Sequence, residues 1–185
     1  MNLSGFLPKG VFLTKGKGTA TTKLMSFEMA LRDAGISHVN LVRVSSIFPP
    51  RCRIMKAADG IKELQAGGIV FCVLSENATN EPGRQIAASV GLAIPKDVNI
   101  HGYISEHHSF GETERKAGDM AEDLAAQMLA TTLGVPFDPD KSWDERKAIW
   151  KISNRIVRTT QITETARGHK RGLWTTVVAG VVMLP

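Results

Sequence analysis

Two adjacent serines are the residues of this chain best placed for chemistry on its own backbone. Ser45 and Ser46 follow the segment Asn40-Leu-Val-Arg-Val and precede Ile47-Phe-Pro-Pro. A serine hydroxyl held against the preceding carbonyl group can attack it and convert the peptide bond into an ester, if a donor stabilises the oxyanion. The pair alone is also typical of a simple turn. On these residues alone a plain turn is the ordinary interpretation, and self-cleavage is the alternative that the chemistry of the serines allows.

Attack by the Ser46 hydroxyl on the Ser45 carbonyl, followed by β-elimination, predicts a cut between these residues. The products are a small chain, residues 1–45, and a large chain, residues 46–185. The first residue of the large chain becomes dehydroalanine and, after losing ammonia, a pyruvoyl group. Because side chains alternate along a strand, Asn40 and Ser46 share a face. We therefore expect the Asn40 amide to position or polarise the peptide that is cut.

A carboxylate on the first predicted helix is suited to binding a guanidinium group. Glu28 lies four residues after Leu24 and three before Leu31, at the edge of an apolar helix face. A carboxylate pairs with a guanidinium group through two parallel hydrogen bonds, and the leucines can flank an aliphatic stem. The alternative is an ordinary boundary glutamate paired with Lys23 or Arg32.

Three histidines raise the question of a metal site. His101 and His107 share one face of a predicted strand but lie roughly 20 Å apart at ~3.3 Å per residue, and His108 lies on the other face. They cannot bind one ion together on a regular strand. We therefore expect no metal.

Alternating strand and helix patterns must position these side chains. We predict a first strand over residues 11–15 that ends in a flexible loop at Gly16-Lys17-Gly18, and a helix over 22–34 that stops at Gly35. A strand over 39–44 leads into the serines. The further predicted elements are strands 69–74, 86–94, 100–106, 152–165 and 174–184, and helices 113–133 and 144–151. Without regular βαβ alternation, this order favours layered α+β packing with a largely antiparallel sheet.

The composition bounds the class of protein. The chain has 185 residues, 43% hydrophobic and 22% charged, as expected for one soluble globular domain. The net charge is +5, but the basic residues are scattered, so we expect no nucleic-acid partner. No apolar run could span a membrane, and no apolar signal segment begins the chain. Cys52 and Cys72 form no CxxC unit, so we expect reduced thiols in a cytoplasmic protein.

Four segments of the sequence resemble the pyruvoyl-dependent arginine decarboxylases in order and spacing. They are FEMALRDAGI, NLVRVSSIFPP, LAIPKD and GYISEHH, and the likeness covers about residues 10–134 well and the last strands more loosely. The resemblance implies an α+β fold, a four-layer αββα sandwich, with a self-cleaved protomer. It also implies a homotrimer with active sites between subunits, and a covalent pyruvoyl group that makes PLP unnecessary.

The resemblance also assigns roles to single residues. Ser45 is implied as the last residue of the small chain and Ser46 as the pyruvoyl precursor. Glu106 is implied as the proton donor to the substrate Cα, or as the group that assists imine exchange. Such a carboxyl group needs a raised pKa, which burial favours. On the residues alone, Glu106 is typical of a solvated strand face. Family members commonly carry Asp in the place of Glu28, one methylene group shorter.

These observations predict a lyase that converts L-arginine to agmatine and CO2, as in polyamine biosynthesis. Glu28 argues for a cationic amino acid as substrate but does not separate arginine from lysine or ornithine. The alternative from a different class is an uncleaved protein, in which the peptide bond between Ser45 and Ser46 stays intact and the chain acts as a subunit or binding module.

Overall fold

The strands and helices below come from a computed structural model that describes residues 6–135, 141, 145 and 156–185. The strands are β1 (Gly10–Ala20), β2 (Asn40–Arg43), β3 (Ile47–Phe48), β4 (Arg53–Met55), β5 (Ile69–Thr79), β6 (Gln85–Pro95), β7 (Gly102–Phe110), β8 (Ile156–Arg167) and β9 (Trp174–Leu184). The helices are α1 (Lys23–Asp33), α2 (Ala57–Lys62) and α3 (Glu114–Thr132). Apart from residue 145, the helix predicted over 144–151 lies outside the described residues, as do the first residues of the strand predicted over 152–165.

The strands form two sheets, so the chain is an α+β protein. Sheet A has the order β2-β5-β9-β1-β4 and is mixed, because β2 pairs parallel to β5 and β1 pairs parallel to β4. Sheet B has the order β3-β7-β6-β8, with antiparallel neighbours throughout. The largely antiparallel pairing predicted from the sequence is confirmed.

Strand β1 is longer than predicted. It continues through Gly16 and Gly18 and pairs with β9 without interruption, from Gly10 opposite Leu184 to Ala20 opposite Trp174. The predicted flexible loop at these glycines is wrong, because they serve close packing. A Cβ atom on either glycine would lie 2.3 Å from a carbonyl oxygen of α1. The glycines therefore let the helix lie directly on the strand.

Helix α1 has the predicted limits but a different buried face. The Thr22 side chain accepts a hydrogen bond from the Met25 amide at its start, and Gly35 follows its end with a φ of 75°. The face on sheet A contains the small Ser26 and Ala30. Leu24 is 79% exposed, so the expectation that it lines the same apolar face as Leu31 is wrong. Small residues bring the helix close to the sheet and turn Leu24 outward.

Three apolar clusters hold the elements together. One lies between the sheets and includes Val11, Val73 and Ile104. A second joins α1 to sheet A, and a third joins α3 to sheet B. Each fully buried Val, Leu, Ile or Phe side chain contributes about 1.5–3 kcal/mol through removal from water. These contacts are compatible with the layered sandwich that the resemblance implies.

Candidate active site at the crossover between the sheets

The Ser45–Ser46 peptide lies where the chain passes from one sheet to the other. On one side, the Val44 amide donates to the Cys72 carbonyl oxygen in sheet A at 2.9 Å. On the other, the Ile104 amide donates to the Ser46 carbonyl oxygen at 2.7 Å, which ties this residue to sheet B. Ser45 is exposed and Ser46 is half-buried. The peptide is therefore held at both ends by different sheets.

A tight turn is centred on Ser46. The Ile47 amide donates to the Ser45 carbonyl oxygen at 3.0 Å, and a hydrogen bond between residues two apart defines a γ-turn. The carbonyl group that self-cleavage would attack is thus already polarised by a backbone N–H. Sequence reasoning missed this donor, since no residue type marks it.

Glu106 is placed near Ser46 by the register of β3 and β7. Ile47 lies opposite Tyr103 in an antiparallel pair, and the hydrogen bond from Ile104 to the Ser46 carbonyl continues this register. Ser46 therefore lies opposite Ile104, and Glu106 is its diagonal neighbour on the same face. Diagonal neighbours have Cα atoms about 7–8 Å apart. The structure thus brings together the predicted pyruvoyl precursor and the predicted proton donor.

The surroundings of Glu106 favour its protonated form. Burial raises the pKa of its carboxyl group above the ordinary value, and the electrostatic influence of Arg43 and then His108 offsets part of that rise. Arg43 itself donates to a Glu76 carboxylate oxygen at 2.6 Å. A carboxyl group with a raised pKa holds its proton closer to neutral pH, as a proton donor requires.

An apolar cavity of about 340 Å³ opens beside Ser45. Its lining combines the chain around the serines with the segment before β1 and with sheet A, and consists of Phe6, Leu7, Pro8, Val44, Ser45, Ile47, Pro49, Pro50, Phe71 and Met183. Burial raises the pKa of the Cys72 thiol to about 11, and its side chain packs on the α1 side of sheet A rather than in this cavity. Ser45 is the residue of the serine pair that borders the cavity.

Asn40 lies at the far end of β2 from the serines. Its side-chain amide donates to the Gly67 carbonyl oxygen at 3.0 Å. The Ser45 carbonyl oxygen instead contacts the Ile47 amide. The structure therefore does not bring the Asn40 amide to the peptide, and its predicted role in processing stays a prediction.

Glu28 and the two leucines lie on the opposite side of sheet A from Ser46. The Arg32 Nε atom donates to a Glu28 carboxylate oxygen at 2.9 Å, which is one of the two partners considered from the sequence. Leu31 is 8% exposed and Leu24 is 79% exposed. Since α1 packs on the outer face of sheet A and Ser46 bonds to sheet B, Glu28 is not brought to the serines of its own chain.

The histidines form other contacts. The His101 ring packs edge-on against Tyr103, and a His107 ring nitrogen lies 2.8 Å from a Glu112 carboxylate oxygen. Among the described residues, no three His, Cys, Asp or Glu side chains come together as they would around a metal ion. Within the same part of the chain, no helix is long and apolar enough to cross a bilayer.

Comparison with known proteins assigns the chain to a family. Residues 10–185 match the model of the pyruvoyl-dependent arginine decarboxylases. The chain belongs to this family. The resemblance found in the sequence segments is thereby confirmed, and membership in the family implies a pyruvoyl cofactor and arginine as the substrate.

Relatives within the family are similar over almost their whole length. A pyruvoyl-dependent arginine decarboxylase of Methanococcoides burtonii is 55% identical over 178 residues, which cover 96% of this chain and 99% of the relative. One of Nitrosopumilus maritimus is 54% identical over 176 residues, covering 95% and 96%. A probable pyruvoyl-dependent arginine decarboxylase of Chloroherpeton thalassium is 52% identical over 180 residues, covering 97% and 99%. The similarity to these relatives thus extends over at least 95% of the chain.

Proposed function

We propose that the chain cuts itself between Ser45 and Ser46, and that the pyruvoyl group formed from Ser46 decarboxylates L-arginine to agmatine and CO2. The observation that carries the proposal is the polarised Ser45 carbonyl group at the crossover between the sheets, in a member of this decarboxylase family. No PLP and no metal ion take part in the proposed reaction.

The residues around the crossover fit the formation of this group. The Ser46 carbonyl oxygen is held by the Ile104 amide, so the residue stays in place when the bond before it breaks. Ser45 is exposed, which leaves the new chain end free to move away. When formed, the pyruvoyl group supplies a sink for the electrons released as CO2 departs.

Glu106 is proposed to deliver the proton that replaces the carboxylate on the substrate Cα. Its side chain lies on the same face of sheet B as Ser46, as the register of β3 with β7 indicates, and burial raises the pKa of its carboxyl group. The proton donor therefore lies one diagonal step from the reacting centre. General acid catalysis of this kind typically accounts for about 10²–10⁴-fold in rate.

We further propose a four-layer αββα protomer that assembles as a homotrimer, with Glu28 of one subunit binding the guanidinium group at the Ser46 of a neighbour. Two observations support this. Sheet A separates Glu28 from Ser46 within one chain. In addition, α1 exposes Leu24, Met25 and Met29 beside Glu28, an apolar surface that self-association would bury.

Denaturing mass spectrometry of the purified protein tests the cut. The intact chain has a mass of 20.1 kDa, and we expect two fragments that end at residue 45 and begin with a pyruvoyl group at 46. Ser46→Ala should stay whole and inactive. Ser45→Ala is the matched control and should still be cut, because only the Ser46 hydroxyl attacks. An active sample that consists of one unbroken polypeptide would contradict the proposal.

A substrate series tests the reaction. Arginine presents a guanidinium group to Glu28, whereas lysine and ornithine present an ammonium group, and only the guanidinium group can form two parallel hydrogen bonds with a carboxylate. We expect CO2 release from arginine to exceed that from the other two. Faster turnover of lysine or ornithine would assign the site to a different cationic amino acid.

A further inference from the structure

We propose that the backbone N–H of Ile47 is the oxyanion donor in the self-cleavage step. The inference rests on the proposed function and deepens it, because it names the group that stabilises the charge formed on the Ser45 carbonyl oxygen. Backbone N–H groups commonly serve as oxyanion donors, and here the donor belongs to the residue that follows the nucleophile.

The distance supports this role. The Ile47 nitrogen lies 3.0 Å from the Ser45 carbonyl oxygen. Effective oxyanion donors lie about 2.7–3.1 Å from the oxygen that receives the charge. The γ-turn fixes this contact before the reaction starts, so little reorganisation is required when the charge forms.

The strand pairing leaves this N–H group free for the task. In antiparallel strands, residues that exchange hydrogen bonds alternate with residues that do not. The Ile104 amide bonds to the Ser46 carbonyl oxygen, so Ser46 and Ile104 form a hydrogen-bonded pair. The next pair, Ile47 and Tyr103, is therefore not hydrogen-bonded. The Ile47 N–H therefore points away from β7. Because β3 is the edge strand of sheet B, this N–H faces the turn instead of a further strand of that sheet.

The proposed reaction turns the peptide bond between Ser45 and Ser46 into an ester and then into a new chain end. The Ser46 Oγ atom adds to the Ser45 carbonyl carbon, and the negative charge gathers on the carbonyl oxygen, beside the Ile47 N–H. The carbon–nitrogen bond then breaks, and the Ser46 nitrogen keeps the proton given up by the hydroxyl. An ester joins residues 45 and 46 at this stage. Loss of the Ser46 α-proton expels the Ser45 carboxylate, and water replaces the nitrogen as ammonia leaves.

Replacing Ile47 with its α-hydroxy acid tests the donor, because the change turns the N–H into an ester oxygen and adds no atoms. We expect the cut to slow by about 10²–10³-fold, the usual effect of removing one oxyanion donor. Ile47→Pro removes the same N–H in an ordinary recombinant protein, and an edge strand tolerates proline. Ile47→Ala keeps the N–H and should cut at the normal rate.

Two controls separate this role from a structural one. The α-hydroxy acid at Ile104 removes the hydrogen bond to the Ser46 carbonyl oxygen and leaves the Ile47 donor, so it should slow the cut much less. Hydroxylamine cleaves esters, so it is applied to Ile47→Pro, which contains no backbone ester of its own. During processing this variant should yield less hydroxylamine-sensitive chain than wild type, since its defect precedes the ester.

The outcomes are distinct. Wild-type protein that is cut after Ser45, together with an Ile47 α-hydroxy acid variant that is cut equally fast, would overturn the inference and leave the proposed function intact. Accumulation of the ester between residues 45 and 46 in Ile47→Pro would also overturn it, because the N–H would then act in the elimination. Wild-type protein that is never cut would instead remove the proposed function.

Discussion

Gly16 of β1 lies directly beneath Ala30 of α1, with room for a hydrogen atom but none for a methyl group. A Cβ atom on Gly16 would lie 2.3 Å from the Ala30 carbonyl oxygen. The distance between strand and helix is therefore set by the absence of a side chain. Since α1 carries Glu28, this contact also sets the position of the proposed guanidinium-binding carboxylate.

Gly16→Ala should destabilise the protein and disturb substrate binding. Overpacking of this kind typically costs about 1–3 kcal/mol, and displacement of α1 should raise the KM for arginine. Urea unfolding and steady-state kinetics measure the two effects. Lys17→Ala, on the same strand but exposed, is the control and should change neither greatly. Equal stability of the two variants would show that the helix adjusts to the added methyl group freely.

Arg43→Met should shift the pH dependence of decarboxylation. Glu106 must be protonated to act as an acid, so the rate should fall as the pH rises through its pKa. The Arg43 charge lowers this pKa, and its removal should move the fall to higher pH. Profiles of kcat against pH measure the shift, and Glu106→Gln should lose this limb altogether.

Glu76→Gln is the matched control for Arg43→Met. It removes the ion-pair partner of Arg43 but keeps the positive charge beside Glu106. The fall in rate should then not move to higher pH. A profile that is identical in wild type and Arg43→Met would show that Glu106 does not control the reaction.

The Glu112 carboxyl group should make the free energy of unfolding depend on pH. A hydrogen bond from His107 is the main reason that the pKa of this carboxyl group is lowered from 4.5 to about 2. A lowered pKa in the folded state stabilises the protein above the unfolded value, and this contribution is lost as the pH falls from about 4.5 to about 2. Glu112→Gln should therefore be less stable than wild type at pH 6, with a difference that shrinks in acid.

Urea unfolding of both proteins across this range measures the effect. Glu114→Gln, at an exposed position on the neighbouring helix, serves as the control and should show a much smaller difference at every pH. If the difference in unfolding free energy between wild type and Glu112→Gln were the same at every pH, the Glu112 charge would contribute nothing to the pH dependence.

Co-expression of two inactive variants should restore activity if the active sites lie between subunits. Glu28→Gln retains a functional Ser46, and Ser46→Ala retains a functional Glu28. In a mixed trimer, one chain can supply the pyruvoyl group while its neighbour supplies the carboxylate. Arginine decarboxylation by the mixture should exceed the sum of the separately expressed variants, and mixing two samples of Glu28→Gln should give no such gain.

Local patterns predicted most of the elements, while long-range packing accounts for the errors. The caps at Thr22 and Gly35 and the β-branched runs act within a few residues, so the limits of α1 and the existence of the long strands were correctly predicted. Gly16 and Gly18 were misread as a loop because the helix that packs on them is remote from their immediate sequence context. Leu24 was misplaced for the same reason.

Of the residues at the candidate site, some can be predicted from the sequence and others cannot. Segment resemblance indicated Ser46 and Glu106, and the register of β3 with β7 places them as neighbours. The Ile47 donor and the Arg43 charge depend on the turn at Ser46 and on the packing around Glu106, neither of which leaves a pattern in residue types. Sequence also could not reveal that sheet A stands between Glu28 and the serines of the same chain.

The location of β1 has a consequence for the lifetime of the mature protein. This strand lies inside sheet A, with β9 on one side and β4 on the other. A break after Ser45 would sever the backbone but leave β1 paired with β9 along its whole length and with β4 at its first three residues. The shorter piece could therefore leave only if sheet A came apart. The two fragments of one chain would then stay together in the folded protein, and a damaged fragment could not be exchanged for an intact one from another molecule.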